Sequence, residues 1–179
     1  MFDESAARAW QLRFGVDSPA DAENVAKFLT LRSVRVFSDL EISEELMESL
    51  IGCAQSAATS SNLQLWSVVS VQESTRRKKI AELCADQKQV HNASWFLAFV
   101  VDHHRLKQAG AAVGEGCEGL DYNEFYTMAL VDAALAAERL VCAAESVGIG
   151  ICYIGALRND PPAVSELLNL PEGVFGVFG

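Results

Sequence analysis

Apolar residues recur along this chain at helical spacing in some stretches and as unbroken runs in others, and the changes between the two mark its elements. Residues 5–14 and 22–30 predict two short helices, with Trp10 and Phe14 on the apolar face of the first and Val25, Phe28 and Leu29 on that of the second. Ser43 followed by Glu44 and Glu45 is a helix start, and Leu46, Leu50, Ala54 and Ala57 repeat behind it until the polar run TSSN ends the pattern. LQLWSVVSV then predicts a strand. Residues 74–85 predict an amphipathic helix with Ile80 and Leu83 inward and Arg76, Arg77, Lys78 and Lys79 on a solvated face.

SWFLAFVV is a continuous apolar run of strand length, as expected of a central strand covered on both sides. Asn123 to Val147 predicts a long helix whose small and apolar residues wrap most of its circumference, with Gly148 placed to end it. Such a helix needs partners on several sides, and a subunit interface is one way to supply them. Asp160 as N-cap and Pro161 at the first helical position open a last helix to Leu168, and VFGVF predicts a final strand. These elements make a mixed α+β domain, a central sheet flanked by helices.

Half of the 179 residues are hydrophobic, 21% are charged and only 4 are proline, which favours an ordered globular protein. With 14 basic against 24 acidic residues and a formal net charge of -10, the chain lacks the broad basic footprint of a nucleic-acid surface. FYTMALVDAALAAERLVCAA is interrupted by Asp132, Glu138 and Arg139, so it predicts a buried helix and not a membrane span. MFDESAARAW has neither the cationic region nor the apolar run of a secretory leader. The five cysteines contain no C-x-x-C pair. Reduced thiols and a cytoplasmic location are expected.

GEGCEG at 114–119 matches the letters of a dinucleotide fingerprint, but Glu115 and Glu118 would repel a pyrophosphate and no strand precedes it. A surface loop is the expectation there. His103 and His104 are adjacent and His91 has no ligand at metal spacing, so no metal site is expected. No nucleophile elbow or Cys-His order is present, and no catalytic side chain is assigned. What remains is LRSVRVFSD at 31–39. If extended, it puts Ser33 and Arg35 on one side and Val34 and Val36 on the other, with Arg32 at its edge. Arginine with a hydroxyl suits a phosphate; an exposed cluster pairing with Asp39 and Glu41 is the alternative.

LRSVRVFSD, ATSSNLQLWSVV and GIGICYIGALRNDP, in that order and with ADQKQVHNASWFL between the last two, resemble the FMN-dependent nitroreductase family, closest to its NADPH-dependent flavin oxidoreductase branch. The similarity runs from about Leu29 to Gly179. It implies a single nitroreductase-like α+β domain over residues 1–179, with a central mixed sheet flanked by helices, entwined in a homodimer that holds FMN in clefts between subunits. By this resemblance Arg32, Ser33 and Arg35 hold the phosphate and ribityl chain. Thr59, Ser60 and Ser61 form a hydroxyl-rich turn near the flavin, and Gln87 hydrogen-bonds it.

Tyr153, Ile154, Gly155 and Ala156 match the segment whose main chain passes the ring edge, and Arg158 would lie farther out, toward the substrate. The implied activity is two-step exchange: NADPH or NADH gives hydride to the flavin, and a nitroaromatic, quinone or flavin then takes the electrons. A flavin-binding module of the same fold without turnover is the alternative. Leu31 stands where this branch commonly has His, and Ala156 replaces a second glycine. Family members continue past the position of Gly179, so the chain is expected to lack that continuation, with its basic pair and its clasp on the partner.

Overall fold

The computed structural model describes residues 4–19 and 25–179. The chain divides into two compact units, one ending at Ser33 and the other running from Val34 to Gly179. In the first, α1 (Glu4–Phe14) sets Trp10 against Phe14 with ring centroids 4.5 Å apart. Of the second helix expected over 22–30, residues 22–24 lie outside the described residues, and the described part is α2 (Ala26–Thr30).

The larger unit is built around a three-stranded sheet in the order β1-β2-β3, from β1 (Trp66–Ser70), β2 (Leu97–Asp102) and β3 (Val174–Phe178). Both pairings are antiparallel, which corrects the expectation of a mixed sheet. As the unbroken apolar run predicts, β2 is central, with Ala98, Phe99, Val100 and Val101 all buried. Side chains alternate along a strand, so β2 feeds two cores. Phe99 and Val101 pack on α3 (Glu44–Gln55) and α7 (Asn123–Ser146), through Leu50, Ala54, Ala133 and Ala137. Ala98 packs in a second cluster with Ile80 and Ala81 of α4 (Ser74–Leu83), Val90 of α5 (Lys88–Asn92) and Val164 and Leu168 of α8 (Pro161–Leu168). Helices thus cover both faces of the sheet.

Helix ends follow their sequence signals. Ser43 accepts from the Leu46 amide, Asp160 accepts from the Ala163 amide, and Gly148 takes φ +83 just beyond α7. Gly114 ends α6 (His104–Val113) with φ +77, and GEGCEG leads from it into a 3-10 turn at Glu118–Asp121, with no strand before it. Side chains on α3 and α4 depart from expectation, among them Arg76, expected on a solvated face but half-buried and donating to the Leu167 carbonyl at 2.7 Å. Leu46 is 37% exposed, and Met47 takes its inward place on α3. Arg77, expected on a solvated face, is 7% exposed. It shares a helical stripe with Ile80, Ala81 and Cys84, and donates to the main-chain oxygens of Val71, Val90 and Ala93 at 2.8, 3.3 and 2.8 Å and to Gln72 Oε1 at 3.1 Å. The cation therefore staples α4 to α5 and to the end of β1.

Candidate cofactor site

Arg32 and Ser33 are exposed at the end of the first unit. In the larger unit the Val34 amide donates to the Ile151 carbonyl at 2.8 Å. A Cβ at Gly150 would stand 2.8 Å from Val34 Cγ2, so the bare glycine is what lets the two segments close up. The expected alternation holds at half-buried Val34 and fails at Val36, which is 88% exposed because nothing in the unit covers it. Arg35 is exposed and has neither a hydrogen bond nor an ion pair within residues 34–179, so the pairing with Asp39 or Glu41 does not form there. Its neighbour's bond to Ile151 places it beside the segment that leads into Tyr153.

Tyr153 is 40% exposed, lies edge-on to Phe178 with centroids 5.2 Å apart, and donates to Glu138 Oε2 at 3.2 Å. Burial first, then the adjacent Glu138 carboxyl, push its phenol well above the ordinary tyrosine range, so it stays a neutral donor. Ile154 is buried and its amide and carbonyl both pair with Gly179, at 2.7 and 3.0 Å. Its N–H is thus committed within the chain. Gly155 and Ala156 open a 3-10 turn (Gly155–Arg158), where the first amides have no acceptor inside the turn, and Gly155 is exposed. Arg158 is exposed and folds back, donating to the Val177 carbonyl.

The Thr59–Ser61 stretch follows α3, and residues 61, 62 and 64 all have positive φ (54°, 54° and 56°) although none is glycine. None of the Thr59, Ser60 and Ser61 hydroxyls has a partner within residues 34–179. The main chain of this turn is gripped by Asp132, a fully buried acid on α7, whose oxygens accept from the Ser60 amide at 2.7 Å and the Leu65 amide at 3.3 Å. In the sequence this residue reads only as a break in an apolar run. Its position in register with buried Met128, Ala129, Ala133 and Ala136 was the signal that it faces inward. Gln87 is half-buried and turned to its own loop, its amide donating to the Cys84 carbonyl at 2.9 Å and accepting from Gln89 at 2.7 Å.

Two grooves adjoin these residues. The larger, about 820 Å³, is mainly apolar, with Leu46, Met47 and Trp95 in its wall, and takes in Tyr153 and Ile154 but none of the other expected site residues. The smaller, about 430 Å³, is bounded by Val131, Ala134, Leu135, Glu138, Tyr153 and Phe178. The cation and hydroxyl donors lie outside both walls. Taken singly, the unpaired guanidinium of Arg35 is of the donor type that suits a phosphate, the three free hydroxyls suit a polyol, and the open amides of Gly155 and Ala156 suit a ring edge rich in acceptors. Among the described residues no group of His, Cys, Asp and Glu could hold a metal ion.

The Nitroreductase family profile matches residues 30–179. The chain is 36% identical over 156 residues to an FMN reductase (NADPH) of Bacillus subtilis, covering 87% of this chain and 63% of that one. It is 42% identical over 147 residues to a Cr(VI) reductase of a Pseudomonas species, covering 82% and 60%. Among solved structures, NfrA1 of Bacillus megaterium superposes with a TM-score of 0.84 at 36% identity, covering 86% of this chain and 63% of that one. The NADPH:FMN oxidoreductase of Vibrio harveyi, complexed with NAD+, superposes at 0.79 with 34% identity, covering 86% and 65%. The chain therefore spans about three fifths of the length of the relatives it matches.

Proposed function

The chain belongs to the nitroreductase family, and on that premise we propose that it is an FMN-dependent oxidoreductase that passes hydride from NADPH or NADH to a nitroaromatic, quinone or flavin acceptor. Bound FMN would supply the hydride acceptor and donor in turn, so no acid, base or nucleophile is required of the protein. Arg35 would hold the phosphate, and the sequence motif adds Arg32 and Ser33 to that task. Thr59, Ser60 and Ser61 would serve the ribityl hydroxyls. Gly155, with Ala156, would offer amide N–H groups to the ring edge, while Tyr153 and Ile154 shape the wall beside it. Gln87 must turn from its own loop to reach a ligand, and Arg158 would meet the incoming donor or acceptor.

The observation that carries this reading is the 2.8 Å bond from Val34 to Ile151, which sets the unpaired Arg35 beside the run into Tyr153–Ala156. The outer face of α7 supports a second copy of the chain as partner. Val131 and Leu135 are 46% and 43% exposed there and border the smaller groove together with Tyr153. A soluble nicotinamide donor makes the cytoplasm the expected place of work. Among the described residues no helix is long and apolar enough to cross a membrane.

FMN titration, followed by quenching of flavin fluorescence, tests the site. Arg35→Gln should weaken binding about tenfold or more, since a charge-assisted contact is lost. An Arg35→Gln protein that binds FMN as tightly as the wild type would remove Arg35 from the site.

A further inference from the structure

We infer that Asp132 is a positioning residue of the flavin site, an inference that rests on the FMN reading above: buried in α7, it holds the Thr59–Leu65 turn in the backbone arrangement that leaves the Thr59, Ser60 and Ser61 hydroxyls free for the ligand. Ser61, Asn62 and Gln64 sit in the left-handed region at φ 54°, 54° and 56°. Side-chain-bearing residues stay there only where the surroundings hold them. The turn has bonds of its own, from the Leu63 amide to the Ser60 carbonyl at 3.3 Å and from Gln64 Nε2 to Asn62 Oδ1 at 3.1 Å, and two side chains from outside it add to them. Asp132 takes the amides at the two ends of the turn, Ser60 and Leu65, at 2.7 and 3.3 Å. Arg105 takes the carbonyls, donating to Gln64 and, at 2.9 Å, to Trp66.

Packing does not account for an acid at this place. Asp132 is 0% exposed in a stripe of small apolar residues, where alanine would fill the same row and a carboxyl group is costly to bury unless its oxygens are used. Both oxygens are used, and both on the one turn that carries three of the proposed ligand contacts. Asp132 touches no cofactor itself. It acts through Ser60 and Leu65.

Asp132→Asn keeps the volume but replaces one acceptor by an NH2 donor, which meets an amide N–H and must turn away from it. FMN affinity, read by fluorescence quenching well below the melting temperature, should fall about tenfold or more, and hydrogen exchange at Ser60 and Leu65 should accelerate. Val164→Ala, a cavity substitution in α8 remote from the turn, should lower the melting temperature while leaving FMN affinity and exchange at the turn unchanged. If Asp132→Asn cannot be purified, Arg105→Gln, at an exposed side chain, loosens the same turn from its carbonyl side and should weaken FMN in the same way. Wild-type affinity in the turn variant, or an equal loss in Val164→Ala, would overturn the inference while the FMN reading stands. A wild-type protein that binds no FMN would overturn both.

Discussion

Replacing Arg77 by Met should remove several kcal/mol of stability, because its guanidinium, carried on α4, is the common partner of groups just past β1 and in and after α5. Four acceptors depend on it: the carbonyls of Val71, Val90 and Ala93 and the side-chain oxygen of Gln72. Phe96 lies 5.8 Å beneath the guanidinium and adds a cation–π contact. Methionine fills much of the same space but donates nothing, so buried carbonyls lose their partner at about 1–3 kcal/mol each. Some relax toward solvent, and a net loss of about 3–5 kcal/mol is expected from those that cannot. For a chain of this size that is a drop of about 10 °C in melting temperature. Arg77→Lys keeps the charge but cannot span all four acceptors, and should fall between. Urea unfolding followed by circular dichroism measures it, with Lys78→Met on the exposed side of the same helix as the control, expected within about 0.5 kcal/mol of wild type. A loss below about 1 kcal/mol in Arg77→Met would refute the view that this cation ties the elements together.

Cys84 is fully buried, and burial pushes its thiol up to about 11 from an ordinary 9.0. The folded state then keeps a proton that the unfolded chain releases, so the contribution of Cys84 to stability is constant below pH 9 and falls as pH rises toward 11, by up to about 1.4 kcal/mol per unit. Cys84→Ala should flatten a urea-unfolding profile over that window; an unchanged slope would assign the loss to other groups. Gly150→Ala puts a Cβ 2.8 Å from Val34 Cγ2 and should cost about 1–3 kcal/mol and weaken FMN binding, with Val34→Ala restoring part of both. Gly150→Ala at wild-type stability and affinity would contradict the close approach of those segments.

Much of the fold was legible because its signals are local. Asp160 followed by Pro161 marks the start of α8, Gly148 marks the end of α7, and the run SWFLAFVV marks the central strand. Strand direction was not legible, since register is set by long-range pairs such as Val68 with Phe99 and Val101 with Phe175. Arg77 was misjudged because charge normally marks the solvated face, and Asp132 was read only as a break in an apolar run; in both, the spacing relative to buried neighbours is what places the side chain inward. The turn at Ser61–Gln64 carries no glycine to announce its left-handed backbone; Asn62 tolerates that region, and tertiary bonds help to hold the rest. Of the candidate site, that Ile154 spends its amide on Gly179 and Gln87 its side chain on its own loop was not readable, because both partners are set by the folded backbone.

Anaerobic addition of NADPH to the FMN-loaded protein tests the central claim most directly. The yellow absorption of the bound flavin should bleach with NADPH, and it should return when a quinone or nitroaromatic is added. A protein that binds FMN yet stays yellow in excess NADPH and NADH would be a flavin-binding module without turnover, and the oxidoreductase account would be wrong.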